Sequence, residues 1–226
     1  MTEQMSVKIA ALPSLRLTVE AHGLMAKKAL GQNFLLDQNI TDKIINLSLQ
    51  KQNKKDFSGA NVFEVGPGPG GLTRAVLAAE PKSLTVVEMD ERCIAIMNEI
   101  KEKTGDILHI INGDAMQTDF SGLTPAPRHI VSNLPYNISV PLLVGWLKNI
   151  NAYDSLTLMF QKEVAERITA PIKTKDYGRI SVLSQLQCRI DHLLDLNPCC
   201  FTPAPKIWSS VLLLSLIHIS EPTRPY

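Results

Sequence analysis

Hydrophobic positions follow two rhythms along this chain. Over residues 12–24, Leu12, Leu15, Val19 and Leu24 recur at helical spacing. Over 38–50, Ile40, Ile44, Ile45 and Leu47 mark a second amphipathic helix, with Asp37 placed to cap its start. The segment between them is irregular. From Asn61 onward short apolar runs alternate with helical stripes. Strands are predicted at 62–65, at 84–87 (closed by Glu88), at 107–111, 130–132 and 156–160. Helices are predicted at 72–79, 93–103, 140–149 and 162–170, and two more strands near 190–196 and 208–214. This alternation predicts an α/β fold, with a mostly parallel sheet covered by helices on both faces. In such sheets a ligand sits outside the carboxyl ends of the strands, where the strand order reverses.

Composition narrows the possibilities. The 226 residues are 45% hydrophobic and 20% charged, which fits one large domain, or a domain with a small appendage, and argues against long disorder. Lys and Arg number 23 against 22 for Asp and Glu, a net charge of +1. A strongly basic nucleic-acid wrapper is excluded, so any nucleic-acid contact must come from local patches. The four cysteines, Cys93, Cys188, Cys199 and Cys200, form no C-x-x-C pair or zinc spacing. They read as cytosolic thiols, and no metal is expected. No run reaches the roughly 20 apolar residues that span a bilayer, so no membrane is expected, and the first 25 residues lack an apolar signal core.

Three features point to an adenosine-bearing ligand. In Glu64-Val65-Gly66-Pro67-Gly68-Pro69-Gly70-Gly71 the glycines follow a strand, where they permit a tight turn and close approach of a ligand. Gly66, Gly68 and Gly71 also satisfy the dinucleotide fingerprint, so a nicotinamide dehydrogenase remains a remote alternative. Glu64, two residues before the first glycine, leans toward S-adenosylmethionine. Glu88, ending the second strand, can accept hydrogen bonds from both ribose hydroxyls. Asp114, after the third strand, can accept from an adenine amino group, or else cap a turn.

The most specific feature is Asn133-Leu134-Pro135-Tyr136, directly after the fourth strand. The exocyclic nitrogen of adenine is a poor nucleophile because its lone pair is delocalised into the ring. A site that methylates it must hold the amino group toward a pyramidal geometry. Two acceptors facing the amino hydrogens do this: the Asn133 side-chain oxygen and the Leu134 carbonyl. Pro135 donates no N–H and biases Leu134 toward extended backbone. Tyr136 offers a face for the base, typically worth ~1–3 kcal/mol. Positioning and electrostatics are then the main contributors to rate.

Gly31-Gln32-Asn33-Phe34-Leu35, the glycine loop, Asn133-Leu134-Pro135-Tyr136-Asn137-Ile138-Ser139, Gln161-Lys162-Glu163-Val164, Tyr177-Gly178-Arg179 and Phe201-Thr202-Pro203-Ala204-Pro205-Lys206 occur in that order. This series resembles the small-subunit ribosomal RNA adenine N6,N6-dimethyltransferase family, whose loss gives kasugamycin resistance in bacteria. The resemblance runs from about Leu12 to Leu213. It implies a class I S-adenosylmethionine-dependent methyltransferase fold, Rossmann-like, that dimethylates two adjacent adenosines of small-subunit rRNA in an immature ribosomal subunit. It further implies that Asn33 and Leu35 contact the cofactor from the N-terminal segment. Gly66 meets the cofactor's methionine part, Glu88 its ribose and Asp114 its adenine. Asn133 touches both cofactor and target amine. Phe201 helps sandwich the base opposite Tyr136, or else anchors its loop.

On this reading residues 1–36 form a helical extension with the cofactor-contacting segment, and 37–213 the catalytic domain. Residues 214–226 resemble the translation of a sequencing adaptor, standing where the family continues into a small helical domain. Lys27, Lys28, Lys173, Lys175, Arg179 and Lys206 supply an RNA path. A monomer in the bacterial cytoplasm is expected, with a mitochondrial setting less favoured. The alternatives are a macrolide-resistance type methyltransferase of large-subunit rRNA, and a mainly non-catalytic assembly factor or mitochondrial transcription-factor relative.

Overall fold

The computed structural model describes residues 2–24 and 33–217. The helices are α1 (Thr2–Ala10), α2 (Leu15–Ala21), α3 (Gln38–Lys51), α4 (Gly71–Ala78), α5 (Glu91–Thr104), α6 (Tyr136–Lys148), α7 (Lys162–Thr169) and α8 (Arg179–Gln187). The strands are β1 (Phe34–Leu35), β2 (Asn61–Val65), β3 (Ser83–Glu88), β4 (Leu108–Asn112), β5 (Arg128–Asn133), β6 (Ser155–Gln161), β7 (Cys188–Leu196), β8 (Phe201–Thr202) and β9 (Ser209–Leu216). Seven strands form one sheet in the order β4-β3-β2-β5-β6-β9-β7. The five strands from β4 to β6 are parallel, whereas β9 runs antiparallel to both β6 and β7.

Alternation along each strand divides the core in two. Val62, Leu84 and Val86 face a cluster built with Ile44, Ile45 and Leu49 of α3, Val76 and Leu77 of α4, and Ile96, Met97 and Ile100 of α5. Phe63, Val65, Val87 and Ile130 face the opposite cluster, built with Leu143, Trp146 and Leu147 of α6 and Ile168 of α7. The predicted α/β architecture, with a mostly parallel sheet and helices on both faces, is the one observed. Asp37 caps α3 as expected, its Oδ1 accepting from Asn39 N at 2.9 Å.

Several elements differ from the pattern. Within the helical extension expected over 1–36, helix α1 has no stripe singled out in the sequence; it is about two turns long and lies against α4 and α5, with Ile9 packed on the core. Helix α8 carries no clean apolar stripe. It is tied to α7 by Gln185 Nε2, which donates to Ile168 O and Ala170 O, carbonyls freed at the end of that helix. The helix predicted at 140–149 starts four residues earlier, at Tyr136, because Pro135 supplies the N-cap backbone (φ −56°, ψ 126°). Strand β9 runs past the boundary expected at 213: Leu214 pairs with Leu156 and Ile190 and is buried. Residues 218–226 lie outside the described residues.

On the central strand β5, at the end opposite the glycine loop, His129 is fully buried. Its Nε2 lies 2.9 Å from Lys54 Nζ and its Nδ1 2.7 Å from Ser155 Oγ. An ammonium can only donate, so Nε2 accepts and the ring is neutral, with its proton on Nδ1. Burial, and then Lys54, hold the imidazole pKa down at about 4.

Candidate active site

Strands β2 and β5 pair only as far as Phe63 and Ile130, and beyond that they part. This is the point at which strand order reverses, with β3 and β4 on one side and β6 on the other. Ser132 spans the gap just below the opening. Its Oγ donates to Val65 O at 2.6 Å and accepts from Val65 N at 3.3 Å. Above it lies a cleft of about 720 Å³, counting the part open to solvent.

Four segments wall the cleft: 33–35, the glycine loop after β2, Glu88 at the end of β3, and 133–136. Gly66 and Gly68 take φ +65° and +55°, a region that glycine enters without strain. A Cβ on Gly68 would stand 3.0 Å from the Phe34 ring, so the loop and the N-terminal segment already touch. The segment is held by a short antiparallel pair that sequence patterning did not reveal, β1 with β8, in which Phe34 faces Thr202 and Leu35 faces Phe201. Two-residue strands leave no periodic signal.

Asn133 Nδ2 donates to Asn33 O at 3.3 Å. That contact orients the amide, so its oxygen is left to accept within the cleft. Tyr136 lines the wall with its hydroxyl 2.6 Å from Ser209 Oγ, and burial raises its pKa, so the phenol is neutral at neutral pH. Ser209 was not anticipated; a small polar residue opening an otherwise apolar strand was its one sign.

Two acidic side chains, Glu64 and Glu88, line the cleft beside the glycine loop. Glu64 is 1% exposed and accepts from Thr73 Oγ1 at 2.7 Å. Burial pushes its pKa up to about 8, the Thr73 hydrogen bond opposing and the nearby Glu88 charge reinforcing. Burial also raises the Glu88 pKa, against the backbone N–H groups of Asp90, Met89 and Gly68. Glu88 Oε1 accepts from Met89 N at 2.7 Å and Asp90 N at 2.9 Å, which fixes the carboxylate at the strand end.

The structure brings Asn33, Leu35, Gly66, Glu88, Asn133, Leu134, Pro135 and Tyr136 together in the cleft wall. Asp114 and Phe201 stand outside it. Asp114 Oδ1 accepts from Met116 N at 2.8 Å, so the turn-capping alternative is what the carboxylate does here. It still lies two residues beyond Asn112, the β4 partner of Glu88. Phe201 is 3% exposed and packs in the core cluster that also holds Phe34 and Leu35. It therefore anchors its loop and presents no face to a base across from Tyr136; pairing with Leu35 draws it inward. Of the basic residues expected along an RNA path, Lys173, Lys175, Arg179 and Lys206 are exposed, while Lys27 and Lys28 lie outside the described residues, as do Gly31 and Gln32. Among the described residues, no group of three or more His, Cys, Asp or Glu is placed to hold a metal ion, and no helix is long and apolar enough to cross a membrane.

Comparison with known proteins gives a consistent result. A protein from Gluconobacter oxydans named ribosomal RNA small subunit methyltransferase A is 46% identical over 213 residues, covering 94% of this chain and 68% of that protein. One of the same name from Allorhizobium ampelinum is 48% identical over 208 residues, covering 90% of this chain and 74% of that protein. The crystal structure of a dimethyladenosine transferase from Plasmodium falciparum superposes with a TM-score of 0.70 at 30% identity, over 80% of this chain and 62% of that one. The 23S rRNA methyltransferase ErmE, at 24% identity and a TM-score of 0.65 over 82% of this chain and 70% of that one, shares the fold. The family profile described as "Ribosomal RNA adenine dimethylase" matches residues 23–223. The chain has a class I S-adenosylmethionine-dependent methyltransferase fold and belongs to the ribosomal RNA adenine dimethylase family.

Proposed function

We propose that this protein is an rRNA methyltransferase that converts two adjacent adenosines of small-subunit rRNA to N6,N6-dimethyladenosine, with S-adenosylmethionine as methyl donor. The carrying observation is that Asn133, its amide N–H engaged by Asn33 O, lines the cleft beside Leu134, which leaves its side-chain oxygen as an acceptor there.

The cleft fits the donor. Glycines at 66 and 68 hold the positive-φ turn that lets the loop line the cleft, and Glu88 stands at the next strand end with its side chain fixed. A carboxylate offers about four lone-pair sites, so Glu88 keeps acceptors for ribose hydroxyls after its backbone contacts. Asp114, two residues beyond the β4 partner of Glu88, would meet the adenine of the donor with the acceptor capacity its turn leaves free. When bound, S-adenosylmethionine supplies a methyl group on a positively charged sulfur.

The protein's own task is to present the acceptor. Asn133 Oδ1 and Leu134 O accept the two amino hydrogens and draw the nitrogen lone pair out of conjugation. Tyr136, braced by Ser209, provides a wall for the ring. Phe201 contributes by holding β8 against β1, which keeps Asn33 under Asn133. Each transfer replaces one N–H by N–CH₃, and the displaced proton leaves to water. No strong base is needed, because the nitrogen becomes acidic as the new bond forms. The substrate is taken to be the rRNA of an immature small subunit, met by a monomer in the bacterial cytoplasm.

Incubation with immature small subunits and methyl-labelled S-adenosylmethionine tests the proposal. Label is expected in dimethyladenosine of the small-subunit rRNA. Label confined to large-subunit rRNA, or none above background, would overturn it.

A further inference from the structure

Trp208 is 45% exposed, and its neighbours Lys206 and Ile207 are exposed as well. The backbone of this segment reaches the end of the sheet onto which the cleft opens. Residue 208 immediately precedes Ser209, which pairs with Gln161 at the carboxyl end of β6, the same edge of the sheet onto which the cleft opens. Ser209 Oγ bonds the Tyr136 hydroxyl, whereas Ser210 Oγ bonds Asp195, the partner of the lysine that lies over the indole, so Trp208 stands at the rim of the sheet on the face opposite Tyr136.

Its setting is ordered. Trp208 O accepts from Lys162 N at 2.9 Å. Lys162 Nζ sits over the indole, 5.7 Å from the ring centroid, and is fixed there by Asp195 Oδ2 at 2.8 Å. Asp195 Oδ1 in turn accepts from Ser210 Oγ at 2.6 Å and lies 2.7 Å from His192 Nε2. A large ring left in water with a cation fixed beside it contributes little to folding, yet it is what binding to unpaired nucleotides uses. The ring takes the face of a base. With a net charge of only +1, attraction for RNA cannot rest on the overall field of the protein, and stacking is a contact that does not need it.

We propose that Trp208, backed by Lys162, is a stacking platform for the nucleobase that flanks the target adenosines in single-stranded RNA. This rests on the RNA-methylating function proposed above.

The test uses the whole chain and two RNA hairpins. One carries two adjacent adenosines in its loop, and the other is identical but abasic on both sides of that pair. Trp146 is buried, so the emission that responds to RNA should come from Trp208. The intact hairpin is expected to quench wild-type emission, with no quenching in Trp208→Phe, which keeps near wild-type affinity. Trp208→Ala is expected to bind the intact hairpin about tenfold more weakly, with unchanged affinity for S-adenosylmethionine. The abasic hairpin should bind wild type and Trp208→Ala equally weakly. Binding without quenching, no binding of the hairpin, or a Trp208→Ala loss of equal size on both hairpins overturns the platform. Dimethyladenosine formed on immature subunits is read separately. Methylation there without quenching removes only the platform, whereas quenching without methylation removes only the proposed reaction.

Discussion

Asn133, the last residue of β5, donates its side-chain N–H to the backbone oxygen of Asn33 at 3.3 Å, across a sequence separation of 100. The contact decides which end of the amide faces the cleft. Replacing Asn133 by Ala removes the acceptor, and replacing it by Asp sets a carboxylate against the Asn33 carbonyl. Both variants are expected to lose about 10²-fold or more in methylation rate, with a much smaller loss in S-adenosylmethionine affinity. Single-turnover methylation alongside calorimetric cofactor binding checks this. Equal losses in the two measurements would contradict the assigned role.

Gly71 and Gly145 give opposite expectations for the same substitution. A Cβ on Gly71 would stand 2.8 Å from the backbone oxygen of Leu35, which cannot swing aside, and 3.1 Å from a terminal methyl of the buried Leu15. Gly71→Ala should displace the 33–35 segment and weaken cofactor binding by about tenfold, in the range of 1–3 kcal/mol for an overpacked site. A Cβ on Gly145, exposed inside α6, meets nothing within 4 Å. Gly145→Ala should stabilise the fold by about 0.5–1 kcal/mol. Thermal melts and cofactor titration of the two variants separate the effects.

The parts that could be read from sequence share a physical trait. The glycine loop, Glu88 and Asn133–Tyr136 each follow an apolar strand directly, so period and position identify them together. Asp37 shows the same legibility at a helix start. What was hidden depends on contacts distant in sequence. The β1–β8 pair has no periodicity of its own, and it turns Phe201 inward. Ser209 acquires meaning only when β9 is placed beside β6. Helix α8 is held through side-chain bonds to the end of α7, which no hydrophobic stripe announces.

Glu64 makes stability depend on pH. Its folded pKa of about 8 lies above the ordinary value of 4.5, so the folded state holds a proton that the unfolded chain has lost. Its contribution is fully present below pH 4.5, declines as pH rises toward 8, and is constant above that. Glu64→Gln stays neutral and retains an oxygen for Thr73. The difference in melting temperature between wild type and this variant should therefore move against wild type between pH 5 and 8 and then level off. A difference independent of pH would show that Glu64 is ionised in the folded protein.

His129 gives the opposite slope. Its folded pKa of about 4 lies below the ordinary 6.5, so its contribution is present above pH 6.5 and is lost as pH falls toward 4. His129→Leu abolishes that acid dependence. It also leaves Lys54 and Ser155 without their partner, at a cost of about 1–3 kcal/mol at neutral pH. Urea unfolding of both proteins at pH 7 and pH 5 measures the two effects.

Strand β9 is the last strand among the described residues, yet it is inserted between β6 and β7. During synthesis the ribosome-bound chain therefore holds five parallel strands before the piece that joins β7 to them emerges. Until then β6 has an open edge, a template for unwanted pairing. Arrival of residues 209–216 closes the sheet and delivers Ser209 to Tyr136 in one event. The bond that braces the Tyr136 hydroxyl therefore forms only once residues 209–216 have been added to the sheet.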